Sequence, residues 1–333
     1  MPTAHTVHVD RPLTNMVLGA APTTAYVGHN ALPPVMVGKQ SDKIWAEGDG
    51  TNFTVAPKSG QKLYHRGPGS EFMRVDYTVS ATAQYFCENY GIELPLSWEE
   101  LANADQPLNP RAKKGALGLN LLRNAQEQRY AALLFDTATT FVSYKSTPSD
   151  LWDTAAANIP GDCATVVEGF LTRGRFDPSV NKLIAIMGVQ SWHDCRRNPD
   201  LLEAMKYTQD VKQVTVDAMR VFMHEEIEEL HIGRATYNTA ADGQTPVLAF
   251  MWGKNCGIYS VPRNPMNHAG PAVGFTPVWN TGDKGRGGPA DFGIGSEWYS
   301  EKKTKSEIIQ TDHYVDEYVA QASSGWILEA ITS

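Results

Sequence analysis

The chain has 333 residues, which at roughly 150 residues per domain corresponds to about two domains and leaves ample length for a buried core. Apolar residues make up 42%, charged residues 20% and aromatics 10%, a globular balance that excludes a peptide, a coiled coil and a disordered tail. With 29 Lys plus Arg against 37 Asp plus Glu the net charge is −8, so no global positive field exists to neutralise a phosphate backbone, and sequence-independent nucleic-acid binding is disfavoured.

No basic n-region and apolar h-region open the chain, because His5, His8 and Pro12 occupy that place, so a cytoplasmic product is expected. Pro12 to Gly38 carries no Asp, Glu, Lys or Arg, yet Pro22, Pro33, Pro34, Asn15 and Asn30 make it a poor membrane span, and it reads as an extended arm. From Met1 to about Gly60 no helix or strand period is sustained, so this stretch is expected to lie on something else rather than form a core. Val75, Tyr77 and Val79 then alternate with Arg74, Asp76 and Thr78 as in a half-buried strand, preceded by a Gly67-Pro68-Gly69 turn. Ala83 to Leu94, rich in aromatic and β-branched residues, also reads as strand, and the whole region as a long β-hairpin or ribbon.

Asn109 and Pro110 supply an N-cap and a first helical residue for a helix expected over 109–141, roughly 45 Å long. Leu117, Leu121, Leu122, Ala125, Leu133 and Leu134 fall near one face of this rod, which suggests a structural spine. Beyond Pro148 the pattern alternates between α and β. Leu183 to Met187 is a continuous apolar run that suits a strand covered on both faces, and Val216, Met219, Met223, Ile227 and Leu230 predict an amphipathic helix from Thr215 to about Glu229. Short strands are expected at 257–261, 314–319 and 326–331, with a Gly-rich loop over 282–295.

Few residues suggest chemistry. His224, Glu228 and His231 would share one helical face and would serve a metal-dependent hydrolase, but the string is not H-E-x-x-H, and an exposed acidic helix face accounts for it better. The run 282–288 lacks the order of a phosphate-binding loop, and His193-Asp194-Cys195 places adjacent side chains apart, unlike a nucleophile and its base. Cys87, Cys163, Cys195 and Cys256 are too dispersed for a structural zinc site, so buried thiols are expected. Asn52-Phe53-Thr54 is a glycosylation sequon, which means little without secretion. No catalytic set, cofactor or metal is expected, and an arm, a ribbon and a long spine together indicate a chain built to contact copies of itself.

Several strings occur in an order that resembles the major capsid proteins of tailed double-stranded DNA bacteriophages. They are Asn103-Ala104-Asp105-x-Pro107-Leu108, Asp136-Thr137-Ala138-Thr139, Arg197-Asn198-Pro199-Asp200, Lys206-Tyr207-Thr208, Gly233-Arg234-Ala235-x-Tyr237-Asn238-Thr239-Ala240, Trp252-Gly253-Lys254, and Phe275-Thr276 with Trp279. The resemblance implies an α+β fold of the Hong Kong ninety-seven type. It implies an N-terminal arm over 1–39, an extended E-loop hairpin within 40–95, and a peripheral domain over 96–148 with the spine helix at 109–141. An axial domain over 149–261 and strands over 262–333 that return to both domains complete it.

The same resemblance implies a virion shell of hexamers and pentamers, assembled in the host cytoplasm, that encloses double-stranded DNA without sequence-specific binding or membrane contact. A separate scaffolding protein is expected, since no long charged helical extension precedes the arm, with portal and decoration proteins as further partners. The hairpin tip contains no lysine, the nearest being Lys62, so covalent cross-linking is not expected. Tyr64, Arg66, Phe72 and Met73 are the expected ribbon contacts between subunits, as apolar and guanidinium anchors. An encapsulin-like cargo shell is the alternative within the same fold.

Overall fold

The apolar run at Leu183–Met187 feeds two different cores from one strand, and the rest of the molecule is arranged around that division. Leu183, Ala185 and Met187 pack into one buried cluster with Trp152, Phe170 and Met219, whereas Ile184 and Ile186 join a second with Tyr130, Leu134 and Trp252. Alternation in a strand sends successive side chains to opposite faces, so a continuous apolar run requires cover on both sides.

The computed structural model describes residues 26–47, 64–69, 71–72, 79–104, 109–206, 214–241, 243–264, 271–280 and 292–333. In chain order the elements are α1 (Gly28–Ala31), β1 (Pro34–Val37), β2 (Ser41–Glu47), β3 (Val79–Phe86), β4 (Glu88–Ser97), α2 (Trp98–Ala102) and α3 (Pro110–Leu134). After β5 (Lys145–Ser146) and α4 (Ile159–Thr172) come β6 (Asn181–Gly188), α5 (Val189–Cys195), α6 (Pro199–Lys206), α7 (Val216–Met223) and β7 (Ile227–Gly233). The remainder holds β8 (Thr236–Asn238), β9 (Leu248–Phe250), β10 (Cys256–Pro262), β11 (Gly274–Trp279), β12 (Gly295–Glu301), β13 (Ser306–Val315), β14 (Tyr318–Val319) and β15 (Gly325–Leu328). A five-stranded sheet has the order β5-β15-β10-β6-β7, and a six-stranded sheet runs β1-β11-β13-β12 with β4 along β13 and β14 on β11.

The spine helix α3 begins as expected, with the Asn109 side chain accepting from Ala112 N at 3.2 Å. It does not bury one apolar face. Gly118, Leu122, Gln126, Tyr130 and Leu134 are buried at intervals of four, and such a row turns about 40° around the axis at each step. The buried line therefore winds from the six-stranded sheet, where Gly118 meets Thr311, to the arm root and the second core. Leu117 and Leu121, placed near the one apolar face, are 47% and 43% exposed, and Ala125 is exposed too. The helix also stops at Leu134 rather than near Phe141. Asp136 accepts from the backbone N–H of Ala138, Thr139 and Thr140, each at 3.0 Å, and from both threonine hydroxyls, closing a turn that competes with the helix. Those donations hold the Asp136 carboxyl well below the usual carboxylate range.

Helix α7 is likewise shorter than its spacing predicts, ending at Met223 with His224 extended at φ −170° and ψ 144°. Ile227 and Leu230 are instead buried in β7, opposite Leu183 and Ala185 of β6, because Glu228 is an extra residue at a bulge. One inserted residue puts two strand positions three apart on the same face, which imitates helical spacing.

The N-terminal region contains more regular structure than its composition predicts. β1 lies parallel to β11, Thr276 Oγ1 donates to Leu32 O at 2.9 Å, and Ala31 and Leu32 are fully buried. The ribbon partner of β3 is β2, a segment read as irregular, and not the strand that follows. β4 diverges after Cys87 and pairs with β13 over ten positions, Glu88↔Val315 to Ser97↔Ser306. The strand expected at Arg74–Thr78 and most of the Gly-rich loop over 282–295 lie outside the described residues, as do the sequon and the first 25 residues.

Candidate assembly interface

The ribbon is fixed at its base and exposed beyond it. Cys87 N donates to Gln40 O at 2.9 Å, Gln40 Nε2 to Cys87 O at 3.0 Å, and Tyr85 OH to Lys39 O at 3.2 Å. Phe86 N donates to the Asp316 carboxylate at 3.0 Å, tying the ribbon to the six-stranded sheet. Between β2 and β3, Phe72 is 76% exposed and the Arg66 guanidinium lies 4.5 Å from its ring centroid. Tyr64 is 54% exposed with a positive φ of 53°, an uncommon conformation for a residue with a side chain. The structure therefore brings Arg66 and Phe72 together as a cation–π pair on an exposed segment. Met73, the fourth expected contact, lies outside the described residues.

At the arm root a buried carboxylate gathers three elements. Glu127 of α3, 1% exposed, accepts from Val27 N at 2.8 Å, from Gly28 N at 3.2 Å and from Trp252 Nε1 at 2.8 Å. Its carboxyl is pushed up by burial, against which the donations from Val27, Trp252 and Gly28 act. A cavity of about 420 Å³ opens beside it, where His29, Arg123 and Phe292 also contribute walls. Burial lowers the His29 imidazole, with His231 and Arg123 adding in the same direction.

His224, Glu228 and His231 do not converge. His224 Nδ1 accepts from Glu226 N at 3.1 Å, Glu228 forms a two-pronged ion pair with Arg263, and His231 Nε2 lies 2.9 Å from Glu229, which also binds Lys182 at 2.6 Å. Among the described residues no His, Cys, Asp and Glu are grouped so as to hold a metal ion. The expected helical face is lost because the chain is already a strand, with Glu228 at the bulge and His231 along its length.

Cys195 is buried on α5, and burial pushes its thiol up to about 12, with Asp153 and Asp194 adding to the effect. Burial does the same to Cys87, also to about 12. All four thiols are free and buried, and a thiol held protonated is a poor nucleophile. A thiol-specific disulfide reagent at pH 8 is expected to leave the folded chain unmodified and to titrate all four cysteines in denaturant; rapid reaction of Cys195 in the native chain would contradict this.

Sequence reasoning missed the end of the six-stranded sheet. Trp298 is 65% exposed, five consecutive β12 residues from Ser296 to Ser300 are exposed, and the following turn carries Lys302, Lys303 and Lys305. The usable signal was the Lys302-Lys303-Thr304-Lys305 string two residues after the Trp298-Tyr299 pair. The β8–β9 hairpin also exposes apolar residues, with Leu248 at 71% and Val247 at 57%.

The arrangement of the spine helix and the two sheets is shared with solved structures. It superposes on a phage-related protein from Bordetella bronchiseptica with a TM-score of 0.67 at 18% identity, covering 96% of each chain. The capsid of cyanophage P-SCSP1u matches with a TM-score of 0.55 at 11% identity, over 93% of this chain and 89% of that one. The fold is the Hong Kong ninety-seven capsid fold. A sequence relative is the major capsid protein of Pseudomonas phage JBD67, 27% identical over 273 residues, which span 81% of this chain and 82% of the relative. No family model matches the chain. No helix among the described residues is long and apolar enough to cross a membrane.

Proposed function

We propose that this chain is a phage major capsid protein, a structural subunit and not an enzyme, that self-assembles into the icosahedral head shell around packaged double-stranded DNA. The observation that carries this reading is the 273-residue match to a phage major capsid protein, which runs over four fifths of both chains. The exposed part of the ribbon and the exposed sheet end supply what such a subunit needs: surfaces that a lone chain leaves uncovered and repeated copies cover.

In this reading residues 1–39 form the arm and 40–95 hold the E-loop. Residues 96–148 with the six-stranded sheet form the peripheral domain, and 149–261 with the five-stranded sheet form the axial domain. Hexamers and pentamers build the shell in the host cytoplasm, with a separate scaffolding protein, a portal and decoration proteins as partners, and the shell then resides in the virion. An encapsulin-like shell would use the same fold, and the contents of purified particles, DNA or an enzyme, decide between the two.

Sedimentation and negative-stain microscopy of the full chain, alone and with its scaffold, are expected to show closed shells or rings. A monomer or dimer under every condition would overturn the capsid reading. Within it, Phe72→Ser is expected to cost about 2 kcal/mol at each ribbon contact, roughly 30-fold in pairwise affinity, and to lower particle yield while thermal unfolding of the free subunit stays unchanged. Wild-type yield from Phe72→Ser would remove the ribbon tip from the interface.

A further inference from the structure

We propose that the end of the six-stranded sheet, made of α2 and the β12–β13 turn, meets the same surface of a second copy, with the lysine turn of one set against Glu99 of the other. This contact rests on the capsid reading and names one of its interfaces.

The two halves of the surface are neighbours by hydrogen bonding. Ser97↔Ser306 is the last pair of the β4–β13 ladder, and Trp98 N donates to Lys305 O at 3.0 Å, so α2 and the turn close the same end of the sheet. Lys302, Lys303 and Lys305 are all exposed, and among the described residues none of their ammonium groups has an ion-pair partner. On the other side Glu99 and Glu100 are exposed; Glu100 is engaged by Lys114 at 2.9 Å, whereas Glu99 has no ion-pair partner among the described residues. The sequence from Ser97 to Asn109 contains no Lys or Arg but includes both Glu99 and Glu100, so α2 contributes only acidic charge to this end of the sheet.

A surface with a basic half and an acidic half is complementary to itself in another copy. Whether the copies are related by a twofold or by a larger ring, each basic half meets an acidic half, and opposed potentials both steer the encounter and fix the register. Two indoles supply the apolar anchors such a contact uses: Trp298, with the Arg111 guanidinium 5.4 Å from its ring, and Trp98, 40% exposed. A nucleic acid is a poorer occupant, because Glu99 and Glu301 beside the turn repel phosphate.

The test is a charge exchange in the full chain, expressed with its head-assembly partners where the wild type requires them. Lys302→Glu with Lys303→Glu, and separately Glu99→Lys, are each expected to lower the yield of particles per soluble chain by about tenfold, and the three changes together are expected to recover most of it. Thermal unfolding of every variant is measured alongside, so that only normally folded variants count. Wild-type particle yield from both single-sided variants would overturn the proposal. So would a combined variant that folds normally and still fails to assemble, or lysine variants that assemble normally but package less DNA. If the wild type itself forms no particles under any condition, the capsid reading fails first and takes this contact with it.

Discussion

Replacing Glu127 with alanine is expected to destabilise the unassembled chain by about 3–5 kcal/mol, because it strands three buried donors at once. Val27 N, Gly28 N and Trp252 Nε1 all point at this carboxylate, and they belong to the arm root and to the segment that follows β9. Urea unfolding at neutral pH measures the loss, and a change below about 1 kcal/mol would mean that other groups replace the acceptor. Glu127→Gln should be far milder, since Oε1 alone accepts the two shortest bonds, from Val27 and Trp252.

The pair also separates by pH. Burial outweighs the donated hydrogen bonds, so the folded chain holds the Glu127 proton more tightly than the unfolded chain does. The protonated carboxyl therefore favours folding: its contribution is complete below the ordinary value of 4.5 and is lost as pH rises through the raised folded-state value. The stability of wild type relative to Glu127→Gln should fall over that window and then level off. A difference that grows with pH would mean that the hydrogen bonds outweigh burial.

Gly188→Ala is expected to cost about 3 kcal/mol by a different route. The backbone at Gly188, φ −70° and ψ 153°, suits any residue, so the constraint is space. A Cβ there would fall on the carbonyls of Gly253 and Trp252, which are backbone and cannot turn aside. Moving them displaces Trp252, a fully buried side chain that packs edge-on against Phe135 with ring centroids 5.1 Å apart. Gly115→Ala is the control. Nothing lies within 4 Å of its added Cβ, and alanine in a helix interior should stabilise by about 0.5–1 kcal/mol. Equal unfolding midpoints for the two variants would refute the steric argument.

Local signals in the sequence carried some elements well and misled at others. Asn109-Pro110 marked the start of the spine because capping is a contact between near neighbours. The end near Leu134 was hidden, since the Asp136 turn wins only by several side-chain bonds acting together. The spine's burial was illegible for a related reason: a row of i+4 residues that changes partner halfway shows no single apolar face. Of the expected interface residues, Arg66 and Phe72 do meet, but the exposed sheet end was overlooked because exposure of Trp298 depends on what fails to cover β12.

By itself the sequence determined a globular chain with buried thiols, a long spine and a central strand covered on both faces, which follow from composition and short-range pattern, while the α+β capsid fold came from the resemblance of its ordered strings to phage coat proteins. Only the tertiary structure decided that β3 pairs with β2, that the bulge at Glu228 turns an apparent helix into an edge strand, and that Glu127 joins the arm root to Trp252. Each of these joins residues far apart in the chain or rests on one inserted residue. Local propensity has no term for such pairings, because their free energy comes from long-range hydrogen bonds and burial that exist only once the other partner is in place.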